Sequence, residues 1–294
     1  MKRDFLTGEE LGAFELDKLL ERAAELKAGR GAGAGGDALA GRSVALVFER
    51  PSTRTRISFD VGVAELGAHP VVLRGDEMQL SRGESVGDTA RVLSRMVDAV
   101  VIRSGSHETV EALAAAAEVP VVNALTPLHH PCQALADLLT MRERFGELDG
   151  LRLAYVGDGN NVARSLAIAG ELADVEVVVA APDGYQLEEG HGAKLTDDPR
   201  AAASEADALY TDVWVSMGDE EEAARRRADL APFRLDEDLL AVAAERAIVL
   251  HCLPAHPGEE ITEGVLYGER SAVWDQAENR LHAQKALLEM LLAD

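Results

Sequence analysis

Short apolar runs alternate with segments of helical periodicity along the chain. The runs that are rich in β-forming residues predict strands at 43–48, 70–73, 99–102, 120–123, 153–156, 175–180, 207–211 and 247–250. Strands that alternate with helices in this way are typical of α/β units with parallel sheets. The expected fold is therefore α/β, with two domains that are each a parallel sheet flanked by helices.

The spacing of apolar residues also predicts how the helices divide the chain. An opening helix around 16–23 is followed by a glycine-rich segment at 29–36, which we expect to be a flexible linker. A helix at 131–145, with proline in its first turn, leads towards a second domain, and a long amphipathic helix fills 275–294. The predicted domains are 1–145 together with about 276–294, and 146–275.

The most distinctive polar segment follows the first predicted strand. It reads Glu49-Arg50-Pro51-Ser52-Thr53-Arg54-Thr55-Arg56, and the apolar spacing after it predicts a helix that begins there. Unpaired amides at a helix start, hydroxyl donors and arginine forks all favour a bound anion, so the segment predicts a phosphate or carboxylate site. The alternative is that Ser52 or Thr53 only caps the helix, with the arginines solvated on its outer face.

The charge of the chain is strongly negative. Its 294 residues include 52 acidic and 29 basic side chains, which gives a net charge of -23, and only five of the basic residues are lysines. Such a surface resembles that of proteins from salt-accumulating halophiles, because salt at about 1 M shortens the Debye length to roughly 3 Å and screens the self-repulsion. Nucleic acid is not an expected partner of this surface.

The apolar segments and the cysteines exclude several classes of protein. No run of 18 apolar residues is present and the first residues do not resemble a secretory signal, so we expect a cytoplasmic protein with no membrane partner. Cys132 and Cys252 are the two cysteines, which excludes a disulfide framework and a four-cysteine metal site. We expect both to be thiols, and we expect no metal.

The segment Gly157-Asp158-Gly159-Asn160-Asn161 lies between a predicted strand and an alanine-rich helix. This position suits the glycine-rich turn of dinucleotide-binding proteins, so a nucleotide-binding dehydrogenase is one alternative. The third position of that fingerprint is Val162 in place of a small residue, which weakens the interpretation. A tight turn with asparagine caps has equal weight.

Several segments, in chain order, resemble the transcarbamylase family. Ser52-Thr53-Arg54-Thr55-Arg56 resembles its carbamoyl phosphate loop, Arg103 follows a strand as a family arginine does, and His130-Pro131-Cys132-Gln133 resembles its His-Pro-Thr-Gln motif. The stretch Gln276-Ala277-Glu278-Asn279-Arg280 resembles the one whose arginine returns to the phosphate site. Cys132 is a departure, since the family has Thr there, and its effect on the start of the helix is open.

Two further segments resemble the ornithine carbamoyltransferase branch of that family. These are Asp212-Val213-Trp214-Val215-Ser216-Met217-Gly218 and His251-Cys252-Leu253-Pro254-Ala255-His256. They offer no Arg or Lys for the second carboxylate of aspartate, whereas an anionic Asp212 suits a substrate ammonium. The resemblance implies transfer of the carbamoyl group of carbamoyl phosphate to the δ-amine of L-ornithine, giving L-citrulline in arginine metabolism, or the reverse reaction. Another acceptor, such as putrescine or N-acetylornithine, is the alternative.

The resemblance also implies a role for each matching residue and requires no cofactor. The catalytic residues would be Arg54, Arg103, His130, Asp212 and Cys252. Carbamoyl phosphate would be bound by Ser52, Thr53, Arg54, Thr55, Arg103, His130, Gln133, Cys252, Leu253 and Arg280. Ornithine would be bound by Asn161, Asp212, Ser216 and Met217.

The family further implies an assembly and a role for each domain. Its catalytic trimers complete each site with a loop of a neighbouring subunit, which corresponds here to 78–85 with Gln79 as the expected contact. We therefore expect a homotrimer or a multiple of trimers. The domain at 1–145 would bind carbamoyl phosphate, the domain at 146–275 would bind ornithine, and the helix at 276–294 would pack back on the N-terminal domain.

Overall fold

The computed structural model describes residues 2–78, 83–188, 191–215 and 220–292. These residues form two compact units. The first unit holds the chain up to Leu139 together with the residues from Glu278 onwards, and the second unit runs from Thr140 to Ala277. Among the described helices, none combines the length and the apolarity that crossing a membrane requires.

The first unit is built around a parallel sheet. Its strands are β1 (Ser43–Phe48), β2 (His69–Arg74), β3 (Ala99–Arg103) and β4 (Val121–Leu125), in the order β2-β1-β3-β4. Its helices include α1 (Ala13–Ala28), α2 (Arg54–Glu65), α3 (Val86–Leu93), α4 (His107–Ala116) and the start of α5 (Pro131–Phe145). The α/β fold predicted from the alternating pattern is confirmed.

Strand β1 lies inside this sheet and determines where the polar segment after it is placed. Its residues from Val44 to Phe48 are all buried, as expected for a strand of a parallel sheet that is covered on both faces. The register pairs Phe48 with Arg103, so β1 and β3 end at the same level. The carboxyl edge of the sheet therefore brings the segment 49–56 next to Arg103.

The glycine-rich segment after α1, which we expected to be a flexible linker, contains local hydrogen-bonded structure. It forms a short 3-10 helix at Arg30–Ala32 and continues in hydrogen-bonded turns. Gly35 has a positive φ of 78°, and a side-chain carbon added to it would lie 2.7 Å from Cδ2 of Leu26 in α1. The backbone conformation and the close approach to α1 both favour glycine here.

The second unit is built around a parallel sheet of its own. Its strands are β5 (Arg152–Val156), β6 (Glu176–Ala180), β7 (Lys194–Thr196), β8 (Ala208–Thr211) and β9 (Ile248–His251), in the order β7-β6-β5-β8-β9. Its helices include the end of α5, α6 (Asn161–Leu172), α7 (Pro199–Ala203), α8 (Ala223–Leu230), α9 (Glu237–Leu240), α10 (Glu263–Leu266) and the start of α11 (Val273–Leu292). The sequence pattern does not predict β7 or α8.

Helix α11 belongs to the first unit from Glu278 onwards, and close contacts with α2 fix it there. The Nζ of Lys285 donates to Glu65 Oε2 at the end of α2 at 2.7 Å. Gly62 lets the two helices approach, since an added side-chain carbon would lie 3.2 Å from Lys285 Cγ. The expected packing of the C-terminal helix on the N-terminal domain is confirmed.

Candidate active site

Hydroxyls that follow β1 meet arginines from two other elements. The Oγ of Ser52 accepts a hydrogen bond of 3.0 Å from Nη1 of Arg103 at the end of β3. The Oγ1 of Thr55 in α2 accepts one of 2.6 Å from Nη2 of Arg280 in α11, and both of these side chains are buried. Two hydroxyls and two guanidiniums that are far apart in the sequence therefore lie together in the first unit.

The start of α2 has no side-chain cap. Thr53 is the residue before the helix, and its hydroxyl makes no capping hydrogen bond. Capping therefore does not account for Thr53, and the hydroxyl of Ser52 is engaged with Arg103. Arg54 is exposed at the first position of the helix. This helix start combines hydroxyls, a guanidinium and the positive end of the helix dipole, which is the chemistry of an anion site.

His130 lies directly before α5 and is buried in the first unit. Burial lowers its pKa well below the ordinary value, and the positive charges of Arg280 and Arg103 lower it further. The imidazole is therefore neutral near neutral pH. A neutral ring keeps one N–H donor, which can polarise a carbonyl group without carrying a charge.

Gln133 lies in the first turn of α5 and is buried. Its Nε2 donates to Oδ1 of Asp137, one turn later, at 2.8 Å. Its Oε1 has no hydrogen-bond partner in the part of the chain that the structure describes. The side chain thus offers an acceptor to an N–H group of a ligand.

Cys132 stands where the related motif has threonine, and its contact explains how the substitution is accommodated. The thiol donates a hydrogen bond of 3.4 Å to the carbonyl oxygen of Asn123 in β4. Burial raises the pKa of Cys132 to about 12, so the thiol stays protonated and keeps this donor. A threonine hydroxyl offers the same donor, and the substitution therefore preserves the link between β4 and the start of α5.

The ends of β8 and β9 bring two predicted residues of the second unit together. The register pairs Thr211 with His251, so the next residues, Asp212 and Cys252, leave the sheet side by side. The thiol of Cys252 donates to Oδ1 of Asp212 at 2.8 Å. Asp212 is only 5% exposed, and its Oδ2 accepts a hydrogen bond of 2.8 Å from Nδ2 of Asn160.

The turn between β5 and α6 is explained by packing inside the second unit. Asn160 caps α6, because its Oδ1 accepts hydrogen bonds from the amides of Val162 and Ala163. A side-chain carbon at Gly159 would lie 2.5 Å from the amide nitrogen of Leu187, so the neighbouring backbone requires glycine. Close packing therefore explains Gly159, and helix capping explains Asn160, without a bound dinucleotide.

The sequence did not reveal what holds the loop that follows β9. The amide of Leu253 donates to Nδ1 of His251 at 2.9 Å, and Nε2 of His251 lies 3.1 Å from Oε1 of Glu260. Burial opposes ionisation of Glu260, but hydrogen bonds from His251 and from the amide of His256 keep its pKa below the ordinary value. A buried, charged glutamate therefore orients the imidazole next to Cys252. No local pattern marks this glutamate, because its role depends on a tertiary contact.

The second unit also brings together three side chains that can bind metals, Asp212, His251 and Cys252. One potential ligand atom of each residue lies within 4.8 Å of the other two. Both ring nitrogens of His251 are engaged, one with the amide of Leu253 and one with Glu260, so a metal ion would break at least one of these contacts. The three residues fit a hydrogen-bonded cluster better than a preformed metal centre.

A contact of α8 that the sequence did not indicate anchors the segment after β8. The Nε of Arg226 donates to the carbonyl oxygen of Trp214 at 2.6 Å, and its guanidinium pairs with Asp158. The same guanidinium lies over the ring of Tyr185, 5.0 Å from its centroid. Arg226 therefore fixes the backbone shortly after Asp212.

The remaining predicted residues cannot all be placed. Asn161 is the first residue of α6 and is partly exposed. Gln79, Ser216 and Met217, which the sequence analysis assigned to subunit contact and ornithine binding, lie outside the described residues.

Two family models match successive parts of the chain. The model described as aspartate/ornithine carbamoyltransferase, carbamoyl-P binding domain, matches residues 3–143, and the model of the Asp/Orn binding domain matches residues 149–291. A relative named ornithine carbamoyltransferase from Acidothermus cellulolyticus is 57% identical over 99% of this chain and 97% of its own length. A relative of the same name from Methanoculleus marisnigri is 51% identical over 100% of this chain and 98% of its own length.

Solved structures of proteins named ornithine carbamoyltransferase are also similar to this chain over almost its whole length. The ornithine carbamoyltransferase of Pyrococcus furiosus has a TM-score of 0.94 and 47% identity, with 99% of this chain and 97% of that chain covered. The ornithine carbamoyltransferase of Thermus thermophilus has a TM-score of 0.92 and 46% identity, with 99% of both chains covered. The similarity therefore extends over nearly the whole sequence.

Proposed function

The chain belongs to the aspartate/ornithine carbamoyltransferase family, and on this basis we propose that it transfers the carbamoyl group of carbamoyl phosphate to the δ-amine of L-ornithine. The products are L-citrulline and phosphate. The lone pair of the neutral amine attacks the carbonyl carbon and forms a C–N bond. The C–O bond to the phosphate then breaks, the electron pair leaves with the phosphate, and the proton that the amine loses passes to the released phosphate.

The buried carboxylate of Asp212 is the observation that carries the choice of ornithine. Its hydrogen-bond donors within the described chain, the amide of Asn160 and the thiol of Cys252, are both neutral. A buried carboxylate is costly unless an opposite charge joins it. The α-ammonium group of ornithine supplies that charge, whereas the side-chain carboxylate of aspartate would be repelled.

The other groups of ornithine are assigned to residues of the two motifs that contain Asn161 and Asp212. In this proposal Asn161 and the backbone of Met217 bind the α-carboxylate, and Ser216 shares the α-ammonium with Asp212. Cys252 assists the loss of the proton from the δ-amine. The contact between the Cys252 thiol and Asp212 supports this assignment, because it places the sulfur beside the carboxylate that is assigned to the acceptor substrate.

Carbamoyl phosphate is assigned to the first unit. The neutral imidazole of His130 donates to the carbonyl oxygen, and Oε1 of Gln133 accepts from the carbamoyl amine. The contacts of Arg103 with Ser52 and of Arg280 with Thr55 support phosphate binding there, because they direct hydroxyls and guanidiniums to one place. The phosphate ligands in this proposal are Ser52, Thr53, Arg54, Thr55, Arg103 and Arg280.

Catalysis in this proposal is electrostatic and depends on positioning. Negative charge grows on the carbonyl oxygen as the amine attacks, and Arg54, Arg103 and His130 stabilise it. Each preorganised donor in such an oxyanion site contributes about 3 kcal/mol to the lowering of the barrier. Holding both reactants also replaces a bimolecular encounter by an effectively intramolecular one.

Assembly as a homotrimer, or as a multiple of trimers, stays a prediction from the family resemblance, with Gln79 as the residue that reaches a neighbouring subunit. Light scattering coupled to size-exclusion chromatography measures the mass directly. A monomer at all protein and salt concentrations would contradict it.

The function is tested by offering ornithine, putrescine, N-acetylornithine and aspartate separately as acceptors and measuring phosphate release together with the carbamoylated product. Product from ornithine alone supports the proposal. Product from putrescine or N-acetylornithine alone would preserve carbamoyl transfer but refute the pairing of Asp212 with an α-ammonium group. The absence of product from every acceptor, at both low and high KCl, would refute the function itself.

A further inference from the structure

The side-chain amide of Asn160 has one orientation, because three donors converge on its oxygen. Its Oδ1 accepts from the hydroxyl of Tyr155 at 3.1 Å and from the amides of Val162 and Ala163 at 2.9 Å and 3.3 Å. Exchanging the oxygen and the nitrogen of the amide would set an N–H group against the two backbone amides, which can only donate. The Nδ2 group must therefore face Asp212, to which it donates at 2.8 Å.

The hydroxyl of Tyr155 donates the third hydrogen bond to Oδ1 of Asn160. Burial raises the pKa of Tyr155 well above its ordinary value, and the negative charges of Asp212 and Asp158 raise it further, so the hydroxyl stays protonated. The ring is fully buried and stacks on Tyr210 with a distance of 5.6 Å between the centroids. The core of the second unit therefore holds the group that orients Asn160.

This series of contacts fixes both oxygens of Asp212. The Oδ2 accepts from Asn160 and the Oδ1 accepts from Cys252, so rotation of the carboxylate would break both hydrogen bonds. We propose that Asn160 is a positioning residue, which holds the carboxylate of Asp212 in the orientation that binds the substrate ammonium group. The inference rests on the function proposed above, and it gives a role in acceptor binding to a residue whose sequence context indicates only a helix cap.

The capping role of Asn160 must be separated from its positioning role. Aspartate caps a helix about as well as asparagine, because the acceptor oxygen is kept. Asn160→Asp therefore preserves the cap and the side-chain size, but it replaces the N–H donor by a second carboxylate opposite Asp212. Asn160→Ser keeps a capping hydroxyl that is too short to reach Asp212.

In Asn160→Asp, kcat/KM for ornithine should fall by about 10- to 100-fold, which is the range for a lost hydrogen bond to a charged group. The KM for carbamoyl phosphate should change by less than about twofold. The loss relative to the unsubstituted protein should shrink as the pH falls, because two facing carboxylates come to share a proton and the protonated one then donates an O–H group. Asn160→Ser should show a loss that does not depend on pH.

A double-mutant cycle tests whether Asn160 acts through Asp212. In an Asp212→Asn background, Asn160→Ser should change kcat/KM for ornithine by less than about twofold. Tyr155→Phe removes one of the three donors to Oδ1 of Asn160 and should lower kcat/KM for ornithine by about threefold or more, without a change in the KM for carbamoyl phosphate. These two variants keep the test decisive if Asn160→Asp does not fold.

Two results would overturn the inference. One is an Asn160→Asp protein with ornithine kinetics within about twofold of the unsubstituted protein. The other is an equal and pH-independent loss for both substrates, which is the pattern of a helix cap alone. An unsubstituted protein that does not carbamoylate ornithine would instead refute the proposed function, so the two failures are distinguishable.

Discussion

Lys285 and Glu65 form an ion pair in the first unit, and removing the charge of Glu65 should destabilise the unit more than removing the charge of Lys285. The Lys285 side chain is 1% exposed, whereas the Glu65 side chain is 27% exposed and also pairs with Arg30 at 2.9 Å. Removing the lysine charge leaves a carboxylate that keeps the arginine and some water. Removing the glutamate charge leaves a buried ammonium group whose anionic partner in the described chain is gone.

The two costs follow from this difference in burial. A buried charge that loses its partner destabilises a protein by about 3–5 kcal/mol, so Glu65→Gln should lower the free energy of unfolding of the first unit by about 3 kcal/mol. Lys285→Met keeps the apolar stem and loses one charged hydrogen bond to a partly exposed acceptor, at a cost of about 1–1.5 kcal/mol. The difference between the variants should therefore be roughly 1.5–2 kcal/mol.

The assay must report on the first unit alone. All tryptophans and tyrosines lie between residues 140 and 277, so their fluorescence reports on the second unit. Native-state hydrogen exchange of the β1 amides in increasing urea measures the first unit, and urea avoids the screening that guanidinium salts cause. The exposed pair of Lys18 and Glu21 on α1 is the matched control, and Lys18→Met and Glu21→Gln should have no measurable effect.

The dependence on pH gives a second test of the same reasoning. Burial raises the pKa of Glu65, but hydrogen bonds from Lys285 and Arg30 outweigh it and leave the pKa lowered. A lowered folded pKa gives stability that is present above the unfolded pKa of about 4.3 and is lost as pH falls through the folded value. The cost of Glu65→Gln should therefore shrink at acid pH. Equal costs for the two variants at neutral pH, or a larger cost for Lys285→Met, would refute the argument.

Four further predictions concern the substrates, the buried titratable groups and the surface charge. Asp212→Asn should raise the KM for ornithine by about 100-fold, because a charged contact with the substrate is lost. The affinity for carbamoyl phosphate, measured by calorimetry, should stay within about threefold of that of the unsubstituted protein. An unchanged KM for ornithine would contradict the assignment of Asp212. The pKa of His130 is lowered in the folded protein, whereas the imidazole of the unfolded chain titrates at about 6.5. The free energy of unfolding should therefore decrease as the pH falls below about 6.5. His130→Gln should weaken this pH dependence, measured by hydrogen exchange of the first unit. Cys132, with its pKa raised to about 12, should resist iodoacetamide in the native protein, as mass spectrometry can show, and Cys132→Thr should change the unfolding free energy by less than about 1 kcal/mol. Citrulline formation should increase between about 0.1 M and about 2 M KCl if the acidic surface is an adaptation to salt, and a maximum at the lowest salt would contradict that interpretation.

The sequence predicted most elements of the fold because their apolar positions are regular. Each strand of the first sheet begins and ends within about two residues of its predicted limits. Strand β7 was missed because it has three residues, two of which are exposed, so it contains no apolar run. Helix α8 was missed for a related reason, since Leu230 is its only fully buried residue and no apolar stripe can be recognised.

Local motifs located part of the candidate site but could not supply its tertiary contacts. The hydroxyls and guanidiniums of the segment after β1 were marked by their own density in the sequence. Arg280 lies 225 positions after Thr55, and only the family resemblance connected the two. Asn160, Glu260 and Arg226 were not identified as organising residues, because a side chain that caps a helix or lies on a surface has the same local sequence context as one that orients a neighbour.

The division of the first unit into two separate stretches of chain affects how the protein is made. Residues from Glu278 onwards are translated after the whole second unit, and they include Arg280, which donates to Thr55. A ribosome adds roughly 5–20 residues per second, so the nascent first sheet waits on the order of ten seconds for the helix that completes its unit. During this interval the face of α2 around Gly62 is accessible to chaperones, while the continuous second unit can already fold. Translation of residues 278–292 therefore sets the earliest moment at which Arg280 can reach Thr55 in the nascent protein.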